Sequence, residues 1–191
     1  FPGTIQCWGA NNYGQLGDGT TSSSALPVTV AGLGGSAVSV SAGFAQTCAV
    51  VDTGAVKCWG LMFDGTEVAL PTVVSGLETG VRHVSLSANH ACVLRVDGTV
   101  RCWGRNESGQ LGDASFVDRT IPVEPVGLGD RVVQVVVAER STCAVLQDGS
   151  ARCWGSNDSG QLGNGEAGYA AVPECVSGTP FSGVIFRNGF E

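Results

Sequence analysis

The sequence predicts an all-β chain of the β-propeller type, on three observations. Cys-Trp-Gly recurs at 7–9, 58–60, 102–104 and 153–155, the remaining cysteines keep a fixed register to it, and no stretch shows the 3.6-residue apolar period of a helix. Steps of 51, 44 and 51 residues, each holding four short strand-like segments, are the arithmetic of four-stranded propeller blades.

In the first complete copy those segments are 26–30, 38–41, 47–51 and 55–59. Blades are accordingly expected at 26–60, 70–104 and 121–155, with a split fourth blade formed by 172–191 together with 1–9. The short step has a local cause. Trp8 to Pro27, Trp103 to Pro122 and Trp154 to Pro173 each span 19 residues, whereas Trp59 to Pro71 spans 12, so one surface loop lacks seven residues. Pro27 to Cys48, Pro71 to Cys92 and Pro122 to Cys143 are all 21 apart.

The third and fourth segments of each copy form the clearest hairpin. Asp52-Thr53-Gly54, Val96-Asp97-Gly98 and Gln147-Asp148-Gly149 put glycine last in a three-residue loop, where a type I turn is followed by a positive φ. Pairing about the middle residue sets Cys48 opposite Cys58, Cys92 opposite Cys102 and Cys143 opposite Cys153. Directly opposed Cα atoms lie about 4.5–5.5 Å apart, within reach of a disulfide, so three cross-strand bridges are expected. Zinc would need clustered ligands at CxxC or HxxxH spacing; the chain has no such cluster and only His83 and His90, so neither a metal nor another cofactor is expected.

Both ends fall inside a repeat. Residues 172–190 align without gaps on 26–44, with Pro173 on Pro27, and 3–8 align on 54–59, so the split blade lacks its Cys-bearing segment. Cys7 thereby loses its usual partner, and Cys175 stands where other copies have Thr29, Val73 and Glu124. A Cys7–Cys175 bridge within the chain or between chains is expected, both alternatives being open and the balance leaning toward another chain or further sequence.

Composition narrows the function. Ten Lys and Arg against 17 Asp and Glu give a net charge of −7, without the basic surface that nucleic-acid binding requires. No apolar run approaches the roughly 18–20 residues of a membrane-spanning helix. Eight cysteines in register point to an oxidising compartment, so a secreted protein is expected, any export signal having been removed before Phe1.

Gly14-Gln15-Leu16-Gly17-Asp18-Gly19, Gly109-Gln110-Leu111-Gly112-Asp113 and Gly160-Gln161-Leu162-Gly163-Asn164-Gly165 each follow Cys-Trp-Gly-x-Asn. These motifs resemble the RCC1 (regulator of chromosome condensation) repeat over nearly the whole chain, in its secreted bacterial form. The resemblance implies a seven-bladed ring, reached here on assembly or in a longer chain. In the second copy Leu61-Met62-Phe63-Asp64-Gly65 replaces the loop motif. The loop glycines are read as turn and close-approach residues, since a phosphate cradle would call for a helix N-terminus. The final Ile185-Phe186-Arg187-Asn188-Gly189-Phe190-Glu191 resembles an ending found in exported bacterial proteins.

Other chemistry is sparse. His83 and His90 have no nucleophile tied to them by motif, and His90 is read as a strand-end or turn residue. Glu139 and Arg140 are read as surface charges. Trp8, Trp59, Trp103 and Trp154, at one repeat position, are read as packing between blades. Asn106-Glu107-Ser108 and Asn157-Asp158-Ser159 match the glycosylation pattern. No enzyme is expected. The reading is an extracellular structural or adhesive protein associating through its propeller ends with copies of itself or further repeats; a secreted binding module or inhibitor using face loops is the alternative.

Overall fold

The structure, a computed structural model, describes residues 3–129 and 131–177. Every regular element among them is a β-strand. β1 (Gln6–Gly9) and β2 (Ser24–Thr29) make a two-stranded sheet. Three four-stranded sheets follow: β3 (Ala37–Ala42), β4 (Gln46–Val51), β5 (Val56–Leu61) and β6 (Glu67–Val73); β7 (Val81–Leu86), β8 (His90–Arg95), β9 (Val100–Gly104) and β10 (Arg119–Val123); β11 (Val132–Val137), β12 (Ser141–Leu146), β13 (Ala151–Ser156) and β14 (Tyr169–Cys175). Each is an antiparallel meander, so the chain holds three full propeller blades and part of a fourth.

The blades are phased one strand later than the sequence repeat. The grouping 26–60 put the proline-bearing segment first in its own blade; instead it closes the preceding one, with Cys7 opposite Val28, Cys58 opposite Thr72 and Cys102 opposite Val123. The groupings 70–104 and 121–155 shift likewise to 81–123 and 132–175. In the split blade, 172–175 belongs to β14, beside β13, while Gln6–Gly9 pairs with β2; 178–191 lie outside the described residues. The invariant proline-to-cysteine spacing belongs to the crossing from one sheet to the next, where buried Val30 and Leu33 pack against Trp59 and neither length nor bulk is free to vary. The Trp-to-proline stretch is a surface loop within a sheet and tolerates deletion.

Pro27, Pro71, Pro122 and Pro173 all lie on the outermost strands, where a missing N–H costs no ladder bond. Next to each proline the register slips: Cys58 opposes Thr72 but Gly60 opposes Val68, so the outer strand bulges through Ala69, Leu70 and Pro71. The residue before each proline is turned outward, leaving Leu26, Leu70, Ile121 and Val172 as a spaced apolar row on the rim.

The first strands of successive sheets lie side by side and are tied by serines rather than by a continuous ladder. Leu86 N–H donates to Ser41 Oγ (3.0 Å), and Val137 N–H to Ser85 Oγ (3.1 Å). Apolar side chains fill the space between sheets: Cys48, Val50, Val56 and Cys58 meet Val84, Leu86 and Val93, and Cys92, Leu94 and Cys102 meet Val135, Ala144 and Trp154.

The hairpins adopt the turn that their glycines require, Gly54 at φ +81° donating to Val51 O (2.8 Å). Cys48 faces Cys58, Cys92 faces Cys102 and Cys143 faces Cys153; all three pairs are disulfide-bonded, with Cα atoms 4.1 Å apart. Each closes a short loop and is expected to contribute about 2–3 kcal/mol. The first two bridges are fully buried, whereas Cys143 is partly exposed. Under limited reductant, alkylation followed by mass spectrometry is expected to trap Cys143 and Cys153 first; simultaneous opening of all three would show that global unfolding controls access.

Candidate functional site

Three features outside the bulk core stand out: a capped joint between sheets, an open strand edge, and one joint that lacks its cap.

The joint is built from the loop between the third and fourth strands. In the first loop, Asn11 is fully buried. Its carboxamide nitrogen donates to Thr20 O (3.0 Å) and Ser22 O (3.1 Å), while Oδ1 accepts from Leu16 N–H (2.9 Å). Asn106 and Asn157 do the same, holding Leu111 and Leu162 through equal 2.9 Å bonds. The amide is thus the hub about which the Gly-Gln-Leu-Gly turn folds. It presents a backbone carbonyl to the next sheet: Gln15 O accepts from Thr47 Oγ1 (2.9 Å) and Trp59 Nε1 (2.9 Å), and Gln110 O accepts from Thr142 Oγ1 (2.9 Å) and Trp154 Nε1 (2.8 Å). The loop also reaches the outer strand of that sheet, where Gly19 N–H donates to Ala69 O (3.1 Å) and Ala114 N–H to Ala171 O (3.0 Å). A Cβ on Gly17 would stand 2.6 Å from Trp59 Nε1, so a side chain there would push the loop off the indole.

Trp59, Trp103 and Trp154 are buried between sheets, as the repeat position suggested. Trp8 is 65% exposed, because no loop caps it among the described residues. β1 pairs only with β2, whereas its counterparts β5, β9 and β13 pair on both sides, leaving the β1 edge unpaired among the described residues. A cavity of about 400 Å³ lies along it, lined by Ile5, Cys7, Trp8, Leu16, Val40 and Phe44. Burial pushes the Cys7 thiol above its ordinary value, which keeps it protonated at neutral pH. Cys7 and Cys175 are both free thiols, on the first and last sheets of the row, so no bridge joins them within this chain.

The two histidines part company. His83 makes a 3.3 Å contact to Ser39 Oγ across the first strands, its pKa lowered by burial and then by Arg82. His90, expected at a strand end or turn, does begin β8, and beyond that expectation it is a fully buried bridge between sheets. Thr142 Oγ1 commits its proton to Gln110 O, so His90 Nε2 is the donor in their 2.7 Å bond and Nδ1 faces Ser87 Oγ (3.2 Å). Its counterparts Gln46 and Ser141 gave no sign of this role. Glu139 and Arg140 are exposed and form no ion pair among the described residues. Asn106 and Asn157 are closed to glycosylation, since each amide nitrogen is buried in its loop. No group of three or more His, Cys, Asp or Glu side chains that could hold a metal occurs among the described residues. No helix among them is long and apolar enough to cross a membrane.

The sequence motif Cys-Trp-Gly-x-Asn carried the signal for the asparagine hub, but spacing alone could not say that the amide is buried. Sequence reasoning also missed the threonine of Thr47-Cys48 and Thr142-Cys143, which is legible only once the loop carbonyl is seen above it.

Burial drives the His90 pKa from 6.5 down to about 3. The native state therefore favours the neutral ring: the stability this contributes is complete above pH 6.5 and is lost as pH falls toward 3. The aspartates with resolved shifts, Asp18, Asp64, Asp97, Asp113 and Asp148, all titrate below their usual range, so the upper part of that window belongs to the two histidines, the fully buried His90 and the half-buried His83, whose pKa burial and Arg82 also lower. Urea unfolding at neutral pH and near pH 5 is expected to show a loss in the wild type that His90→Gln flattens; an unchanged loss in the variant would place the acid sensitivity elsewhere.

Comparison with known proteins follows the repeats. Profiles described as the regulator of chromosome condensation (RCC1) repeat match residues 2–50 and 97–145, and, in a second form, 81–110 and 132–161. The human E3 ubiquitin-protein ligase HERC2 is 32% identical over 187 residues, covering 96% of this chain and 3% of that protein. The ultraviolet-B receptor UVR8 of Arabidopsis thaliana is 29% identical over 177 residues, covering 92% of this chain and 30% of the receptor. Among solved structures, human WBSCR16 superposes with a TM-score of 0.77 at 24% identity, covering 88% of this chain and 46% of its own. Prp20p of Saccharomyces cerevisiae, whose structure was described with its binding properties to Gsp1p and histones, gives 0.77 at 19%, covering 92% and 47%. The chain thus spans a small part of these curated relatives and about half of the matched structures.

Proposed function

The chain belongs to the RCC1 repeat family, and from that premise we propose that it is a non-enzymatic protein-association module that works through the open edge of β1. The carrying observation is the contrast between Trp8, 65% exposed on a strand with one edge unpaired among the described residues, and Trp59 and Trp154, fully buried beneath a loop carbonyl. An incoming strand carrying a Thr-Cys pair in the register of Thr47-Cys48 would complete the sheet and bring a cysteine opposite Cys7. That strand comes from another copy of the chain or from further repeats of a longer polypeptide, so that the protein is an extracellular structural or adhesive unit. Three disulfides, two of them fully buried, support an oxidising compartment for it. The net charge of −7 makes protein rather than nucleic acid the partner.

A second reading is a binding module acting through propeller-face loops. It is favoured by Prp20p, described as binding Gsp1p and histones, and by the structure of Kap60 bound to yeast RCC1. The two readings separate in solution.

Sedimentation of the intact chain with and without reductant is the test. Self-association predicts a particle larger than 19.4 kDa that grows with concentration and falls to the single-chain mass in Trp8→Lys. A concentration-independent single chain would exclude self-pairing and shift weight to the second reading.

A further inference from the structure

The joint between the β3–β6 and β7–β10 sheets lacks its cap, and the missing parts form a set. Seven residues are absent from the loop, Met62 stands in place of the hub asparagine, and Ala91 stands where Thr47 and Thr142 bond a loop carbonyl. Met62 and Phe63 move partly into the space, but a cavity of about 150 Å³ persists, lined by Gln46, Met62, Phe63, Val74, Trp103 and Thr120.

Three polar groups are left around this cavity by those substitutions. Trp103, unlike Trp59 and Trp154, has no loop carbonyl for its indole N–H. Thr120, the counterpart of Ala69 and Ala171, receives no loop N–H. Gln46, 4% exposed, has a carboxamide oxygen without any hydrogen-bond partner. Its carboxamide nitrogen donates to Met62 Sδ (3.0 Å), and residue 91, an alanine, has no hydroxyl to offer the oxygen, whereas His90, at the position of Gln46 one sheet on, meets the Thr142 hydroxyl. An unsatisfied buried acceptor costs about 1–3 kcal/mol.

The two capped joints act as moulds for what fits the third. They are filled by a main-chain turn that supplies a C=O to the indole, an N–H to the outer strand, and a buried leucine, Leu16 or Leu111, held on the same turn. We propose that the uncapped joint is a peptide-binding notch that takes an exposed loop of a protein partner, one aliphatic side chain entering beside Met62 and Phe63. The partner's main chain accepts from Trp103 Nε1 and donates to Gln46 Oε1 and Thr120 O. This site lies one joint on from the β1 edge, sharing Gln46 with the cavity there, and does not depend on self-association.

The test is an NMR titration of the intact chain, following the Trp103 indole N–H resonance. The probe is a capped synthetic peptide with the sequence of residues 106–113, compared with the same peptide carrying Leu111→Asp. Expected is a saturable downfield shift with half-saturation at or below ~1 mM for the leucine peptide and no saturation for the aspartate form. Gln46→Leu removes the orphaned oxygen while keeping the bulk apolar; it is expected to fold at least as stably as the wild type and to weaken binding about fivefold or more. No shift up to ~5 mM, equal shifts with both peptides, or unaltered affinity in Gln46→Leu would each overturn the proposal.

Discussion

A single backbone carbonyl, offered by one sheet's loop to the indole N–H and threonine hydroxyl of the next, governs how this molecule holds together. Adjacent blades share no continuous ladder; their first strands touch through serine hydroxyls and their faces through apolar side chains. Apolar packing alone does not fix the angle between two sheets, because it has no direction. Gln15 O and Gln110 O supply that direction, each accepting two bonds in a buried setting where a missed partner would be costly. The asparagine hub exists to aim the carbonyl, and Gly17 to let it approach.

Much of this was legible in the sequence because the repeat reports on itself. The hairpin glycines set the pairing of strands with one another, and hence which cysteines face, because a three-residue turn leaves no freedom of register. The tryptophans declared themselves by recurrence. Blade phase was not legible, because a periodic sequence can be cut anywhere; only the pairing of Cys7 with Val28, or Cys58 with Thr72, says where a sheet closes. His90 was hidden for a related reason. Its role lies in its contact with Thr142, some 52 residues on, and neither residue alone announces the other.

The same logic gives meaning to departures from the repeat. Met62 for asparagine, Ala91 for threonine and the shortened loop look independent along the chain, yet they converge on one interface. Trp8, by contrast, keeps the residue of the repeat and lacks only its surroundings. The first is an altered joint; the second is an unaltered joint with one half unfilled.

The prolines of the outer strands carry a further consequence. Each sheet ends on a bulged strand with a gap in its donors, so the circumference offers poor purchase to a foreign strand, even though Leu26 and Ile121 stand exposed along it. In a crowded solution, apolar rim residues would otherwise invite lateral stacking and the seeding of fibrils. A chain this rich in β-structure thus presents a circumference that discourages sideways stacking, and any strand-to-strand association is left to surfaces that do not lie on the rim.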